Sequence, residues 1–538
     1  MVQIIQICKL LFLFFILISS RTQVQGIDIN FSEYGNYLSW EHAKDSNDLE
    51  KIREFLKKIK LENIEDTILE EFLFEAVVLD EWSKAEEISS IILNRDKKNF
   101  SANLFKFFDG FIKGDASDDF LNNIETKHLD ENFLRVIMIW KNTEKDLKIL
   151  PVSKDCVPII CLHSGFFLIM QNENLKAQEY FVNLENDKFA SYRIKELLLF
   201  NAIHSEKIIA SKFLDQLNMN DLNIKKFDLD FFSENKYLLN PISNSEQGMA
   251  EVLYNISSWY FSKNLFKYSA FFGKLSLKLR PNLNAMKLLL SGTFEKLGYK
   301  DLGIEYATIH NDKNLYYYKF LKIKLALLED KEMDNEFLSN LKEFVEKYPE
   351  RVEMKILLAD KYRRLESYNK AVEIYSDIIE NYDIPEKWNV LYSRGISLER
   401  LNKWEKAEKD LKEALKENPE DAYVMNYLAY SWLDRKKNIP EALELLKKAV
   451  DIEPRDAYIV DSLGWAYFLS NEINKSILFL EKAVLLLPED ATLNDHLGDA
   501  YWKAGRKDEA LSQWKRVLII DPKFKKKKIV NKKIMEGL

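Results

Sequence analysis

Glycine, proline and cysteine are all scarce in this 538-residue chain, at 15, 11 and 3 copies. So few turn formers disfavour a β architecture of many short strands. Three cysteines cannot build a disulfide framework, because Cys8 falls in an apolar leader and leaves only Cys156 and Cys161. These two straddle Pro158, and if both lay in one helix their Cα atoms would be too far apart to bridge. The expectation is two small buried hydrophobes. Positive charge is also in deficit: a formal net charge of −8 argues against nucleic acid as the main partner. Catalytic signatures are missing too. There is no His-Glu-x-x-His, no Cys-x-x-Cys, no glycine-rich phosphate loop and no Gly-x-Ser-x-Gly elbow. The six histidines are dispersed, with no pair at helical spacing, and 86 carboxylates make chance pairing uninformative. No catalytic residue, cofactor or metal ligand is expected.

What is present is a helical unit used repeatedly from Glu386 to Pro522. Pro419, Pro454, Pro488 and Pro522 are spaced 35, 34 and 34 residues apart. In the pairs Leu463-Gly464 and Leu497-Gly498 the glycine stands 24 residues before the closing proline, and Tyr467 and Tyr501 follow. The two earlier units read Arg394-Gly395 with Leu398, and Leu428-Ala429 with Trp432. In the second half of each unit a small residue recurs (Ala407, Ala442, Ser476, Ala510). A large apolar residue follows four later (Leu411, Leu446, Leu480, Trp514), and Ala414, Ala449, Ala483 or Val517 three beyond that. Spacings of three and four put one buried stripe on each of two helices. The small residues let the helix axes approach, and the large ones fill the surrounding grooves. Polar turns at Asn402-Lys403, Arg435 to Asn438, Asn471-Glu472 and Gly505-Arg506 separate the helices, and each proline stops the second.

This pattern resembles the tetratricopeptide repeat, a 34-residue helix–turn–helix. The resemblance implies an all-α, right-handed superhelix. The runs Asn426 to Trp432, Asp461 to Tyr467 and Asn494 to Trp502 further resemble a family of exported alphaproteobacterial tetratricopeptide proteins. That likeness implies an address and a class, and no chemistry.

The remaining chain is expected to divide as follows. Residues 1–26 read as a secretory leader: Leu10 to Ile18 is nine apolar residues after Lys9, with Val24-x-Gly26 as the cleavage site. An uncleaved anchor over Ile4 to Ile18 is the alternative. Residues 27–240 read as degenerate repeats, with units near Glu71 to Leu93 and Leu162 to Leu184, or as a separate all-α domain. A boundary is placed at the polar stretch Pro241 to Gln247. Residues 241–385 then give units at Gly248 to Pro281, Leu283 to Asp312, Asn314 to Pro349 and Val352 to Pro385. Residues 523–538 carry seven lysines against Glu536 alone. They read as a solvated capping helix, with contact to anionic lipid or polymer as the sharper reading.

The functional expectation is a non-enzymatic protein–protein interaction scaffold in the bacterial cell envelope, located in the periplasm. Membrane contact would run through residues 4–18 or the lysine-rich tail. A structural subunit of a membrane complex, or an enzyme hidden in residues 27–240, is the alternative. In this fold the first helix of each unit lines the groove. The inward positions hold Asn426 and Tyr430, then Asp461 and Trp465, then Asp495, Asp499 and Trp502. Aromatics offer large contact area, and asparagine bonds a peptide backbone in both senses. The three aspartates would make the groove acidic and favour a basic or amide-rich peptide or helix. Tyr423 and Phe468 are expected to pack between neighbouring helices instead.

Overall fold

The structure is a computed structural model that describes residues 33–61, 64–123, 131–141, 157–181, 192–205, 207–218, 228–309 and 315–538. Among these residues there are helices and no strand. The leader expected at 1–26, with its apolar run 4–18, lies outside them. No helix of the described residues is long and apolar enough to cross a membrane. The chain forms two compact units that divide between Met333 and Asp334.

The second unit, Asp334–Leu538, is a stack of helical hairpins. After Asp334–Lys347 come five pairs of first (A) and second (B) helices: Val352–Arg364 with Tyr368–Asn381, Lys387–Arg400 with Trp404–Glu417, Ala422–Asp434 with Ile439–Ile452, Ala457–Leu469 with Ile473–Leu486, and Ala491–Lys503 with Lys507–Ile520. Lys527–Glu536 closes the unit. The last four B helices each stop two residues before their proline. Asp421, Asp456 and Asp490 start the last three A helices by accepting hydrogen bonds from free backbone N–H groups of the first turn. The A-to-B turns require left-handed backbone, which Asn402, Asn471 and Gly505 supply at φ 59°, 59° and 83°.

The three periodic columns of the B helices are the core. Ala407, Ala442, Ser476 and Ala510, the large residues four later, and the residues three beyond those are all fully buried. Close approach is real at the glycines. A Cβ added to Gly464 would stand 2.7 Å from Leu480 Cγ, and one added to Gly498 would stand 2.5 Å from Trp514 Nε1.

The first unit keeps the hairpin form with a looser period. Asp66–Val78 with Trp82–Arg95 matches the unit expected near Glu71 to Leu93, with Ala85 fully buried. Pro158–Met170 with Asn174–Phe181 matches the one near Leu162, and Gly165 lies directly against Phe181. Ser245–Ser262 pairs with Phe266–Leu279, and Asn284–Lys296 with Lys300–Ala307. The expected unit Asn314 to Pro349 straddles the division between the two compact units.

The polar stretch Pro241 to Gln247, expected as a boundary, sits inside this unit for a physical reason. Two arginines, both buried, converge on it. Arg193 donates to Glu251 Oε1 from Nε at 2.9 Å and from Nη2 at 2.6 Å, and to the Leu239 and Asn240 carbonyls. Arg280 donates to the same Glu251 oxygen at 2.8 Å, and to Asn240 and the Pro241 carbonyl. Tyr316 donates to Glu196 Oε2, which also pairs with Arg193. Removal from water pushes the Glu196 carboxyl up to about 7, against the pull of Arg193. These deeply buried ion pairs join the helices that carry Arg193, Glu251 and Arg280 to Tyr316.

The expectation for the cysteines is corrected. Cys161 is disulfide-bonded, and its partner lies outside the described residues. The helix begins at Pro158, so Cys156 precedes it and the one-helix premise does not hold.

Candidate functional site: the A-helix face of the second unit

The A-helix face is built by residues at fixed positions on Ala422–Asp434, Ala457–Leu469 and Ala491–Lys503. At the second position stand Tyr423 and Tyr458, which are 51% and 54% exposed. Tyr423 therefore does not pack between helices as expected, whereas Phe468 is half-buried against the core of the last repeats and also stacks on Trp465 of its own helix at 4.7 Å. Tyr458 reaches Asp490 with its hydroxyl at 3.4 Å. Asn426 and Tyr430 are half-buried, and Asn426 Oδ1 is enclosed without a hydrogen-bond partner. The Tyr430 phenol is pushed up to about 12 by burial and by the carboxylates of Asp461, Asp434 and Asp495.

The three aspartates are where the expectation needs correction. Asp461, Asp495 and Asp499 are buried, and each already holds a cation or donor from the chain itself. His496 donates Nδ1–H to Asp461, 2.9 Å to Oδ2 and 3.1 Å to Oδ1. Lys533 reaches back from Lys527–Glu536 and places Nζ 2.7 Å from Asp495 Oδ1 and 2.8 Å from Asp499 Oδ2. Trp514 Nε1 donates to Asp499 Oδ1 at 3.0 Å. The groove chemistry read as acidic is thus neutralised internally, and its basic occupant is the chain's own closing helix. Burial works against the His496 imidazolium, yet Asp461, then Asp495 and Asp499, outweigh it and raise its pKa. Burial likewise raises the Asp499 carboxyl, with Asp495 beside it, against the pull of Lys533. Changing Asp461 to lysine would unseat His496, so it is not a silent surface change.

Trp465 stacks on His496 at 4.2 Å and 16° as well as on Phe468. Trp502 lies 5.4 Å from Trp514, with Gly537 against its ring and Lys507 above it at 5.2 Å. Of the seven residues named from sequence, Asn426, Tyr430, Trp465 and Trp502 thus stay half-buried on this face, and the three aspartates sit beneath it. Sequence reasoning missed His496 and Lys533. Their signal was a histidine and a lysine 35 and 38 residues from aspartates on the neighbouring A helix, about one repeat away. Among the described residues no group of three or more His, Cys, Asp or Glu is placed to hold a metal ion.

Helical hairpins of one length, joined by left-handed turns and packed through small residues, define an α-helical repeat array. Residues 392–457 match the family model of the tetratricopeptide repeat. The chain carries tetratricopeptide repeats in its second unit. It is 29% identical over 122 residues to the TPR repeat-containing protein PA4667 of Pseudomonas aeruginosa, which covers 23% of this chain and 20% of that protein. The chain therefore spans about a fifth of that relative's length. Among solved structures, MamA from residue 41 onward of Desulfovibrio magneticus RS-1 is 22% identical, with a TM-score of 0.29, over 32% of this chain and 97% of that one. TTC0263, a thermophilic TPR protein of Thermus thermophilus, is 21% identical, with a TM-score of 0.29, over 35% of this chain and 98% of that one.

Proposed function

We propose that the protein is a non-enzymatic interaction scaffold of the bacterial cell envelope that holds an extended or helical segment of another protein on the A-helix face of its second unit. The observation that carries this is the row of aromatics at repeat spacing. Tyr423 and Tyr458 are half exposed, with Tyr430 and Trp465 half-buried behind them. Rigid aromatic side chains give contact area at low entropy cost and concentrate binding energy. Because Lys533 and His496 already neutralise the aspartates, the segment it fits is apolar or amide-rich rather than strongly basic.

Two features support the address: the apolar run Leu10 to Ile18 reads as an export signal, and a disulfide at Cys161 suits an oxidising compartment. Membrane contact is proposed through residues 4–18 or the lysine-rich tail.

The test is crosslinked capture of envelope proteins by the full chain and by Tyr423→Ser/Tyr458→Ser. Both tyrosines are exposed, so melting and helicity should be unchanged while capture falls severalfold. Equal capture by the two proteins would remove the A-helix face from consideration.

A further inference from the structure

The B-helix side of the second unit carries a second periodic surface, and it faces water. Lys448, Lys482 and Arg516 are exposed and stand in strict 34-residue register. Three or four residues after each, on the same side of its helix, is an exposed aliphatic residue: Ile452 (43%), Leu485 (79%) and Ile519 (79%). Leu478, one turn before Lys482, is exposed as well. Leu485 and Ile519 stand 34 residues apart at one register position, whose counterpart on the first of the three helices is the exposed Asp451 with Ile452 beside it, so these two aliphatics recur rather than scatter. They form a column.

The closing segment, which packs on the last B helix, carries the same two residue types. One lysine there, Lys533, is buried on Asp495 and Asp499. The other six, Lys523, Lys525 to Lys528 and Lys532, are exposed, and so are Ile529 and Met535. Acids share these helices: Glu444 is engaged by Lys447, Glu481 by Tyr501 and Arg506, and Glu509 by Arg506, while Glu441, Asp451 and Asp508 are exposed, so most of the positive charge lies on the closing segment. The overall charge of −8 does not prevent local attraction, because salt screens charges beyond about 8–10 Å.

We propose that the B-helix side of the last three repeats, together with the closing helix, is a docking face for an anionic phospholipid bilayer. This deepens the tail contact proposed above and rests on it for approach to the membrane. Headgroup phosphates meet the lysine and arginine row, and the aliphatic row reaches the boundary of the acyl chains. Nucleic acid is the poorer fit, since the column offers aliphatic side chains where single strands need aromatic platforms. The cation and aliphatic rows stand on the B helices and the aromatics on the A helices, while the closing segment meets the aromatics at Trp502 through Gly537.

The experiment is co-sedimentation of the full chain with phosphatidylcholine vesicles, pure or containing about one-third phosphatidylglycerol. Binding is expected only to the anionic vesicles and should weaken with salt. Lys482→Glu/Arg516→Glu should lower it by about thirtyfold, since each cation near the surface contributes its own share of the attraction. Leu485→Ser/Ile519→Ser should lower it severalfold and leave the remainder more salt-sensitive. All four side chains are exposed, so melting should not move. If Lys525→Glu/Lys526→Glu abolishes binding while both column variants bind like the parent, the column proposal falls and the tail contact stands. If the parent does not bind anionic vesicles, both fall. Equal binding to neutral vesicles overturns the electrostatic basis. Binding of a short duplex RNA that Lys482→Glu/Arg516→Glu abolishes, without vesicle binding, assigns the face to nucleic acid and overturns the proposal.

Discussion

Replacing Gly498 by alanine sets two well-known effects against each other and lets the structure decide the sign. In an exposed helix the exchange would stabilise by about 1 kcal/mol, because alanine loses less backbone freedom on folding. Here the new methyl would stand 2.5 Å from Trp514 Nε1 and 2.6 Å from Cδ1 of the same ring. Trp514 is fully buried and cannot simply swing away. Overpacking of this kind costs about 1–3 kcal/mol. Moving the indole also strains its 3.0 Å hydrogen bond to the Asp499 carboxylate, and bonds to charged groups contribute about 1.5–3 kcal/mol. The net expectation is a loss of about 2–4 kcal/mol after the propensity gain is subtracted. For a body of this size each kcal/mol moves the melting temperature by about 2–4 °C, so the last transition should fall by roughly 5–15 °C. Far-UV circular dichroism melts of the full chain read the shift. In a Trp514→Phe background the same exchange should cost much less, because the smaller ring leaves room for the methyl. A rise in stability on Gly498→Ala would refute the packing argument and with it the helix register.

Lys533→Met should destabilise the second unit by about 3–5 kcal/mol, since it leaves two buried carboxylates without their cation. Adding Asp495→Asn and Asp499→Asn to it should recover most of the loss, read by urea unfolding. His496 has a folded-state pKa above its unfolded value, so its contribution is complete below about pH 6.5 and fades as pH rises through the folded pKa. The second unit should therefore melt higher at about pH 6 than at about pH 9, and His496→Phe should flatten that slope. In the first unit, Glu251→Gln removes the charge shared by Arg193 and Arg280 and should cost about 3–5 kcal/mol, with the loss confined to that unit's transition.

The stacking of the second unit was legible because its signals are local and repeated. A proline two residues past each of the last four B helices, a small residue at each of their crossings and an aspartate at the start of the last three A helices all recur within a 34- or 35-residue window. The hairpins of the first unit were legible where a small residue marked the contact, as at Ala85 and Gly165. Its ion cluster was not, because Arg193 meets Glu251 across 58 residues and Arg280 across 29 more, with no period to reveal it. The groove reading failed at the aspartates for a related reason. Position on an A helix decides which way a side chain points. Whether it meets water depends on what packs next, and beyond Asp495 and Asp499 that neighbour is a helix outside the repeat pattern. Cys161 was misread because the residue spacing was read as one continuous helix, whereas the helix starts at Pro158.

The Asp495–Asp499–Lys533 triad also makes the repeats non-interchangeable. The residues 34 earlier are Asp461 and Trp465, so the preceding repeat offers no second carboxylate to a closing lysine. Among the hairpins of the second unit, the last alone carries carboxylates at both positions. Copies of an internal hairpin could be inserted or removed upstream and the array would still know where to stop. A chain cut after Pro488 would expose a surface that no closing helix was built to fit. The length of the array is thus encoded in three side chains at its end, in the manner of a stop signal.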